Sequence, residues 1–389
     1  MHSSVLRRLT VVAGCSALAI GLAGCSDLAD PTGGLAIVVG ARSNMPTPTL
    51  DGEAADALDT ALDAQSYLAI AVADGDPFLS PMKGQLLITG KNGPAQEASK
   101  EKNRQMVAKA LAEAAAKTPE TDLLGALDLG ARAIADSDGG HTIVVVDSGL
   151  STVAPLDFTQ PGMLDADPAE LVASLQAADE LPDLTGDAVV FQGLGDTADP
   201  QPTLTRGQRK NLVEIWTAIA TAAGASSVDV EQSPLSGDAA VGLPDVSVVP
   251  LPAPMTCTAG TVTLAGGNVA FVSDSAAFLD TAAATDVVRP IAQQIVDGGL
   301  TATVTGTTAD VGDAVGQQAL SQQRAEAVMH LLVDLGVPAD ALTVRGLGSD
   351  FPGYVTDHDP AGNLVPAAAA QNRKVVIELA GASAALVCS

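Results

Sequence analysis

Covalent chemistry in this sequence would have to start from Asp147-Ser148-Gly149, from three histidines beyond the first segment (His141, His330 and His358) or from one of four cysteines. A nucleophilic serine needs a base within hydrogen-bond reach and a turn that exposes its hydroxyl. Ser148 is not set in a Gly-x-Ser-x-Gly elbow, and none of the three histidines stands near a Ser or Cys partner in sequence. Gly84 to Gly90-Lys91-Asn92 has the outline of a phosphate loop, but five residues separate the glycines and Asn follows the Lys where four residues and Ser or Thr are required. Gly193-Leu-Gly195 is a lone glycine pair after a strand. The cysteines are too few for a disulfide scaffold and are not spaced as zinc ligands. From these residues no catalytic residue, no metal and no cofactor is expected.

The elements that must position any site fall into two blocks. In the first, apolar runs at Leu35–Val39, Tyr67–Ala73, Gln85–Thr89, His141–Val146, Ala188–Gln192 and Ser227–Glu231 alternate with helical patterns at Leu50–Gln65, Glu97–Ala116, Asp122–Ala135, Pro168–Ala178 and Thr205–Ala223. Such alternation predicts an α/β fold, a mostly parallel sheet with helices on both faces. Five prolines between Gln232 and Pro254 predict a linker or an irregular docking segment. The second block, from about Met255 to Cys388, predicts strands near Val269–Val272, Ala302–Gly306, Leu342–Leu347 and Lys374–Leu379, and helices at Ala282–Val296 and Ala314–Leu335. The order βαβαββ implies an α+β domain with helices on one sheet face.

The 389 residues carry 46 acidic and 19 basic side chains, a net charge of -27, with only 2% aromatics. This balance excludes a nucleic-acid binder, which needs a basic face, and disfavours an aromatic carbohydrate platform. Arg7 and Arg8 precede an apolar run, Leu9 to Gly24, too short to span a bilayer well. The run ends Leu22-Ala23-Gly24-Cys25, which resembles a bacterial lipobox. The resemblance implies a signal peptide over residues 1–24, diacylglycerol and palmitate on Cys25, a tether over 25–34 and a mature chain of 365 residues with charge -29. Two or more acyl chains anchor a protein firmly, to the cell membrane or an outer membrane and facing the periplasm or cell wall.

The second block, over about 120 residues, resembles the OmpA-like peptidoglycan-binding domain. The resemblance is carried by Phe271-Val-Ser-Asp-Ser275, Val304-Thr-Gly306-Thr-Thr308-Ala-Asp310-Val-Gly312, Leu320-Ser-Gln-Gln-Arg324-Ala325, Leu335-Gly-Val337, Val344-Arg-Gly346-Leu-Gly348 and Asn372-Arg373-Lys374, in family order. It implies a partner, the diaminopimelate-bearing stem peptide, gripped as a zwitterion: a planar guanidinium forks onto the carboxylate while an acid meets the ammonium. By resemblance Arg324 takes the carboxylate, and Thr308, Asn372 and Arg373 line the pocket. The family's acid falls at Ala309, so Asp310, one residue later, either swings in or faces solvent as a loop or capping residue. Wall binding that links membrane to wall is the expectation; a protein-interaction scaffold that has lost its ligand is the alternative.

Cys257 and Cys388 bracket this block, and export suggests that they form a disulfide, with two free thiols as the alternative. Residues 35–231 weakly resemble a von Willebrand factor A-type domain, with a plain Rossmann-like sheet as the alternative. Thr121 and Asp147 match two parts of that family's cation site, but Gly40, Arg42 and Asn44 replace its Asp-x-Ser-x-Ser. A hard cation wants several oxygens, so no metal is expected, and this block is read as a spacer or protein-interaction module.

Overall fold

Strand β1 (Thr32–Gly40) is buried along nearly its whole length. Its two faces serve two cores. Leu35, Ile37 and Val39 pack with Leu58 and Leu62 of α1 (Gly52–Ala64) and Val107 and Leu111 of α2 (Gly93–Ala112). Ala36 and Val38 pack with α3 (Leu123–Ile134), α4 (Pro168–Ala178) and α5 (Arg206–Ala222). Both faces are covered, which is why the strand reads as continuous apolar sequence with no polar alternation. Around β1 the sheet adds β2 (Tyr67–Ala73), β3 (Phe78–Leu79), β4 (Gly84–Gln85), β5 (Asp138–Val146), β6 (Ala188–Gln192) and β7 (Ser227–Val230), in the order β3-β2-β1-β5-β6-β7 with β4 also on β2. β2, β1, β5, β6 and β7 run parallel, while β3 and β4 are short antiparallel additions to β2. The loops after β1 and β5 therefore emerge at the same, carboxyl, edge. Trp216 of α5 is fully buried and donates its indole N–H to the Gly149 carbonyl at 2.9 Å, closing the loop after β5.

The computed structural model describes residues 32–235, 238–239, 241–244, 246–253, 255–258, 260–266 and 269–381, all within one compact unit. Residues 1–24, expected to be a signal peptide, and Cys25 and Cys388 lie outside the described residues. Among the described residues no helix is long and apolar enough to cross a membrane. The proline-rich segment is docked on the first sheet's body. Val249 and Leu235 are buried in its cores, Gln201 exchanges two hydrogen bonds with the Val249 backbone, and Ser247 bonds the Glu120 carboxylate at 2.7 Å.

The second sheet departs from expectation at its start. Val269–Val272 is no strand; Phe271 makes only an isolated bridge to Phe278. The strands are instead a hairpin, β8 (Met255–Thr258) and β9 (Thr261–Ala265), whose alternation of Thr with Val and Leu follows the pleat. With β10 (Thr301–Gly306), β11 (Leu342–Gly346) and β12 (Lys374–Ala380) they form the order β11-β10-β12-β9-β8, in which only β10 and β11 are parallel. Val262, Val304, Val375 and Ile377 face α6 (Thr281–Gly298) and α7 (Ala314–Asp334), forming a third core. Each fully buried Val or Ile in it contributes about 1.5–3 kcal/mol.

A short helix that the sequence reading lacks, α8 (Pro366–Asn372), joins the two bodies. Its Ala367 belongs to the first sheet's core, and Gln371 donates to the Pro161 carbonyl at 2.8 Å. Gly162, at φ +88°, permits this approach: a Cβ there would stand 2.1 Å from the Ala367 carbonyl oxygen. Lys210 of α5 also reaches the Leu279 carbonyl at 3.1 Å.

Candidate functional site

Arg324 projects from the middle of α7 and is only 4% exposed. Its Nε donates to the Ser275 carbonyl at 3.0 Å, and its guanidinium carbon lies 5.2 Å from the centre of the Phe271 ring, which stacks on Phe278. Among the described residues no carboxylate pairs with it. Burial, reinforced by neighbouring Arg373, pulls its pKa down to about 10, against the opposing pull of Asp274, Asp167 and Glu170. The guanidinium stays charged at neutral pH, so it is a buried cation in want of an anion.

The space it faces is a cavity of about 720 Å³ whose walls come from both bodies. Thr308, Arg324 and Arg373 line it from the second sheet, Asp274 from the segment before α6, and Asp167 and Lys210 from α4 and α5 of the first. Two polar atoms here have no partner within the described chain: the Thr308 hydroxyl, on a residue only 4% exposed, and Nη1 of Arg373. Arg373 Nη2 is bonded to Glu170 of α4. Burial drives the Glu170 carboxyl above its ordinary pKa, and its bond to Arg373 only partly reverses this. The cavity thus presents cations with unused donors beside free carboxylate, a lining that suits a zwitterion.

Residues 270–363 match the OmpA family profile. The C-terminal domain is OmpA-like. Over 80 residues the chain is 34% identical to outer membrane protein A of Citrobacter freundii, covering 20% of this chain and 34% of that protein. It therefore spans about a third of the length of that relative. Among solved structures, the peptidoglycan-associated lipoprotein from Burkholderia pseudomallei is 28% identical over 28% of this chain and 86% of that one, at a TM-score of 0.24. The cell wall anchor of the T6SS from Pseudomonas aeruginosa is 26% identical over 30% of this chain and 78% of that one, also at 0.24.

Of the residues expected to form the site, the OmpA-like domain brings together Thr308, Arg324 and Arg373. It does not bring in Asp310 or Asn372. Ala309 lines the cavity, while Asp310 is exposed and off it, its carboxylate held by Gln317 Nε2 at 2.9 Å. The adjacent residue does not swing in because its own N–H is fixed by Asp357 at 3.0 Å, which orients the loop the other way. Asn372 is fully buried and spent on the structure: its amide bonds the Val355 carbonyl at 2.7 Å and Asp357 at 3.0 Å, and its oxygen takes the Val355 N–H at 2.9 Å. It does not line the cavity, and its neighbour Arg373 does. Asp357, absent from the sequence reading, is the hub. It is fully buried and accepts from Tyr354, His358, Asn372 and the Asp310 amide. Burial alone would raise its pKa, but these bonds outweigh burial and hold it below the ordinary 3.8.

The other polar centre lies at the carboxyl edge of the first sheet. Arg42, 2% exposed, bonds Thr121 through Nη1, Asp147 at 3.0 Å and Ser148 at 3.3 Å through Nη2, and Asn44 at 3.3 Å through Nε. These positions correspond to the cation site of the family that this block weakly resembles, and a guanidinium fills them. Gly40 makes room, since a Cβ there would fall 2.0 Å from Asp147 Oδ2. Among the described residues no group of three His, Cys, Asp or Glu is arranged to hold a metal. Among the described residues Ser148 donates to no base. His141 lies near Ser137 and Asp187, each at 3.3 Å, but its Nε2 is 2.8 Å from the Ser137 carbonyl. A nitrogen donating to a carbonyl cannot take a proton from the Ser137 hydroxyl.

Proposed function

We propose that this is a cell-envelope lipoprotein, anchored by acylated Cys25 to the cell membrane or outer membrane, that binds peptidoglycan stem peptides non-covalently and links membrane to wall. The observation that carries the reading is a buried, unpaired Arg324 facing a cavity with further unused donors on Thr308 and Arg373. A ligand carboxylate is the group that would satisfy these donors, and binding rather than catalysis is the use of such a site. A disulfide between Cys257 and Cys388 belongs to the proposal, and the disulfide-bonded state of Cys257 supports it. The strand order of the first sheet and the placing of Arg42, Thr121 and Asp147 support a von Willebrand factor A-type body whose metal has been replaced by an internal guanidinium.

A second reading, a protein-interaction scaffold that has lost its ligand, is favoured by one observation, the outward turn of Asp310. Sedimentation of the full chain, in detergent, with purified cell wall separates the two. Wall binding predicts retention that falls at least tenfold in Arg324→Met. No retention, or retention indifferent to that change, supports the scaffold.

A further inference from the structure

A zwitterion clamp needs an acid for the ammonium as well as a cation for the carboxylate. The OmpA-like domain offers no obvious one at the loop after β10, where Ala309 lines the cavity and Asp310 is bound to Gln317 outside it. Five carboxylates do line the cavity: Asp165, Asp167, Glu214, Asp274 and Asp313. Asp313 is committed to capping α7 through the amides of Val315 and Gly316. Glu214 stands 3.8 Å from Lys210, and the Asp165 carboxylate is packed against Gly266. Asp167 and Asp274 remain. Asp167 caps α4 with Oδ1 alone, accepting from Ala169 at 2.9 Å and Glu170 at 3.2 Å, and its Oδ2 has no bond within the described chain. Asp274 is exposed, held at φ +49°, and makes neither a hydrogen bond nor an ion pair among the described residues. Both share the cavity with Arg324 and with the unpartnered hydroxyl of Thr308.

Resting on the wall-peptide reading above, we infer that the first body completes the ligand site: Asp167 of α4, with Asp274, receives the ammonium of the zwitterion whose carboxylate lies on Arg324. The acid missing at position 309 is thereby supplied from another part of the chain, across the contact that Glu170 and Arg373 close. The α/β body is then a working part of the clamp and no mere spacer.

The test is calorimetric titration of the full chain, in detergent, with L-alanyl-γ-D-glutamyl-meso-diaminopimelate and with the same peptide acetylated on its side-chain amine. Asp167→Asn keeps a good helix cap, so the fold is not at stake, and an unchanged melting temperature confirms that. Loss of a charge-assisted bond corresponds to about tenfold or more in affinity. Asp167→Asn and Asp274→Asn should each weaken the free-amine peptide by that order while leaving the acetylated one unchanged, and Asp310→Asn should change neither. An effect of Asp310→Asn with none from the other two overturns the inference. If Arg324→Met still binds both peptides like the parent protein, the wall-peptide reading itself falls. If Arg324→Met loses binding while Asp167→Asn and Asp274→Asn do not, only the contribution of the first body is refuted.

Discussion

Arg42 and Arg324 are almost equally buried, at 2% and 4% exposure, yet replacing each with Met should affect stability by very different amounts. Arg42 is paired: Asp147, itself fully buried, lies 3.0 Å away, and Thr121 and Ser148 share the same guanidinium. Removing it strands a buried carboxylate, a change that costs about 3–5 kcal/mol. Among the described residues Arg324 has no carboxylate partner, and burial depresses its pKa to about 10. That depression is a penalty on the charged form on the order of 3 kcal/mol. The sign follows from linkage: a base with a lowered pKa is disfavoured as a cation at every pH below that pKa, so the penalty holds across the neutral range. Arg324→Met removes it, at the loss of one charge-assisted bond to Ser275 and the contact with Phe271, together about 2–3 kcal/mol. The net change should lie within about 1 kcal/mol of zero. Urea unfolding of both variants beside the parent protein measures the contrast. Equal destabilisation by the two substitutions would refute the account of Arg324 as an unpaired charge kept for a ligand.

Three further outcomes follow from the same geometry. Asp357→Asn should destabilise the OmpA-like domain by about 1–3 kcal/mol at neutral pH; because the carboxyl is held below 3.8 in the fold, its contribution is present above that value and the gap between variant and parent should close as pH falls through it, as read by melting temperature between pH 3 and 7. Gly162→Ala should cost at least about 1 kcal/mol from positive φ alone and, by driving Cβ onto the Ala367 carbonyl, should expose α8 to limited proteolysis ahead of the parent protein. Wall retention should hold or rise as salt is raised from about 0.01 to 0.1 M, since shortening the Debye length from ~30 to ~10 Å screens repulsion between this acidic chain and an anionic wall; a steep fall would identify non-specific attraction.

The parts legible in the sequence were those set by local period and by short motifs. β1, α7 and the parallel run through β5 and β6 follow from apolar patterning, and Arg324 stood out because its motif lies within one helix. The β8–β9 hairpin was missed because proline enrichment just upstream masked a threonine-rich alternation. The sequence displayed the one-residue offset at Ala309 and Asp310 but not its consequence, because the side chain's direction is decided by Asp357, 47 residues away. Asp167 and Glu170 carried no signal at all. Their part in the site exists only because α8 docks Arg373 against α4, a contact across 203 residues.

A chain with 46 acids against 19 bases gains nothing from long-range attraction to an anionic wall. Whatever affinity it has must be generated at short range, where desolvation makes one charge worth many at the surface. The placing of three buried or half-buried arginines fits that constraint. Arg42 is spent inside the first body as a fixed cation. Arg324 is buried with no carboxylate partner among the described residues, and Arg373 has Nη2 on Glu170 and Nη1 without a partner there. A buried unpaired charge lowers stability unless a ligand completes it, so retaining one such group, beside a second cation with an unused donor, is hard to account for by folding alone. The docking of α4 and α8 reinforces the point. It brings carboxylates to the side of the cavity where a zwitterion's positive end would fall, so the contact between the two bodies and the charge pattern of the site are one arrangement.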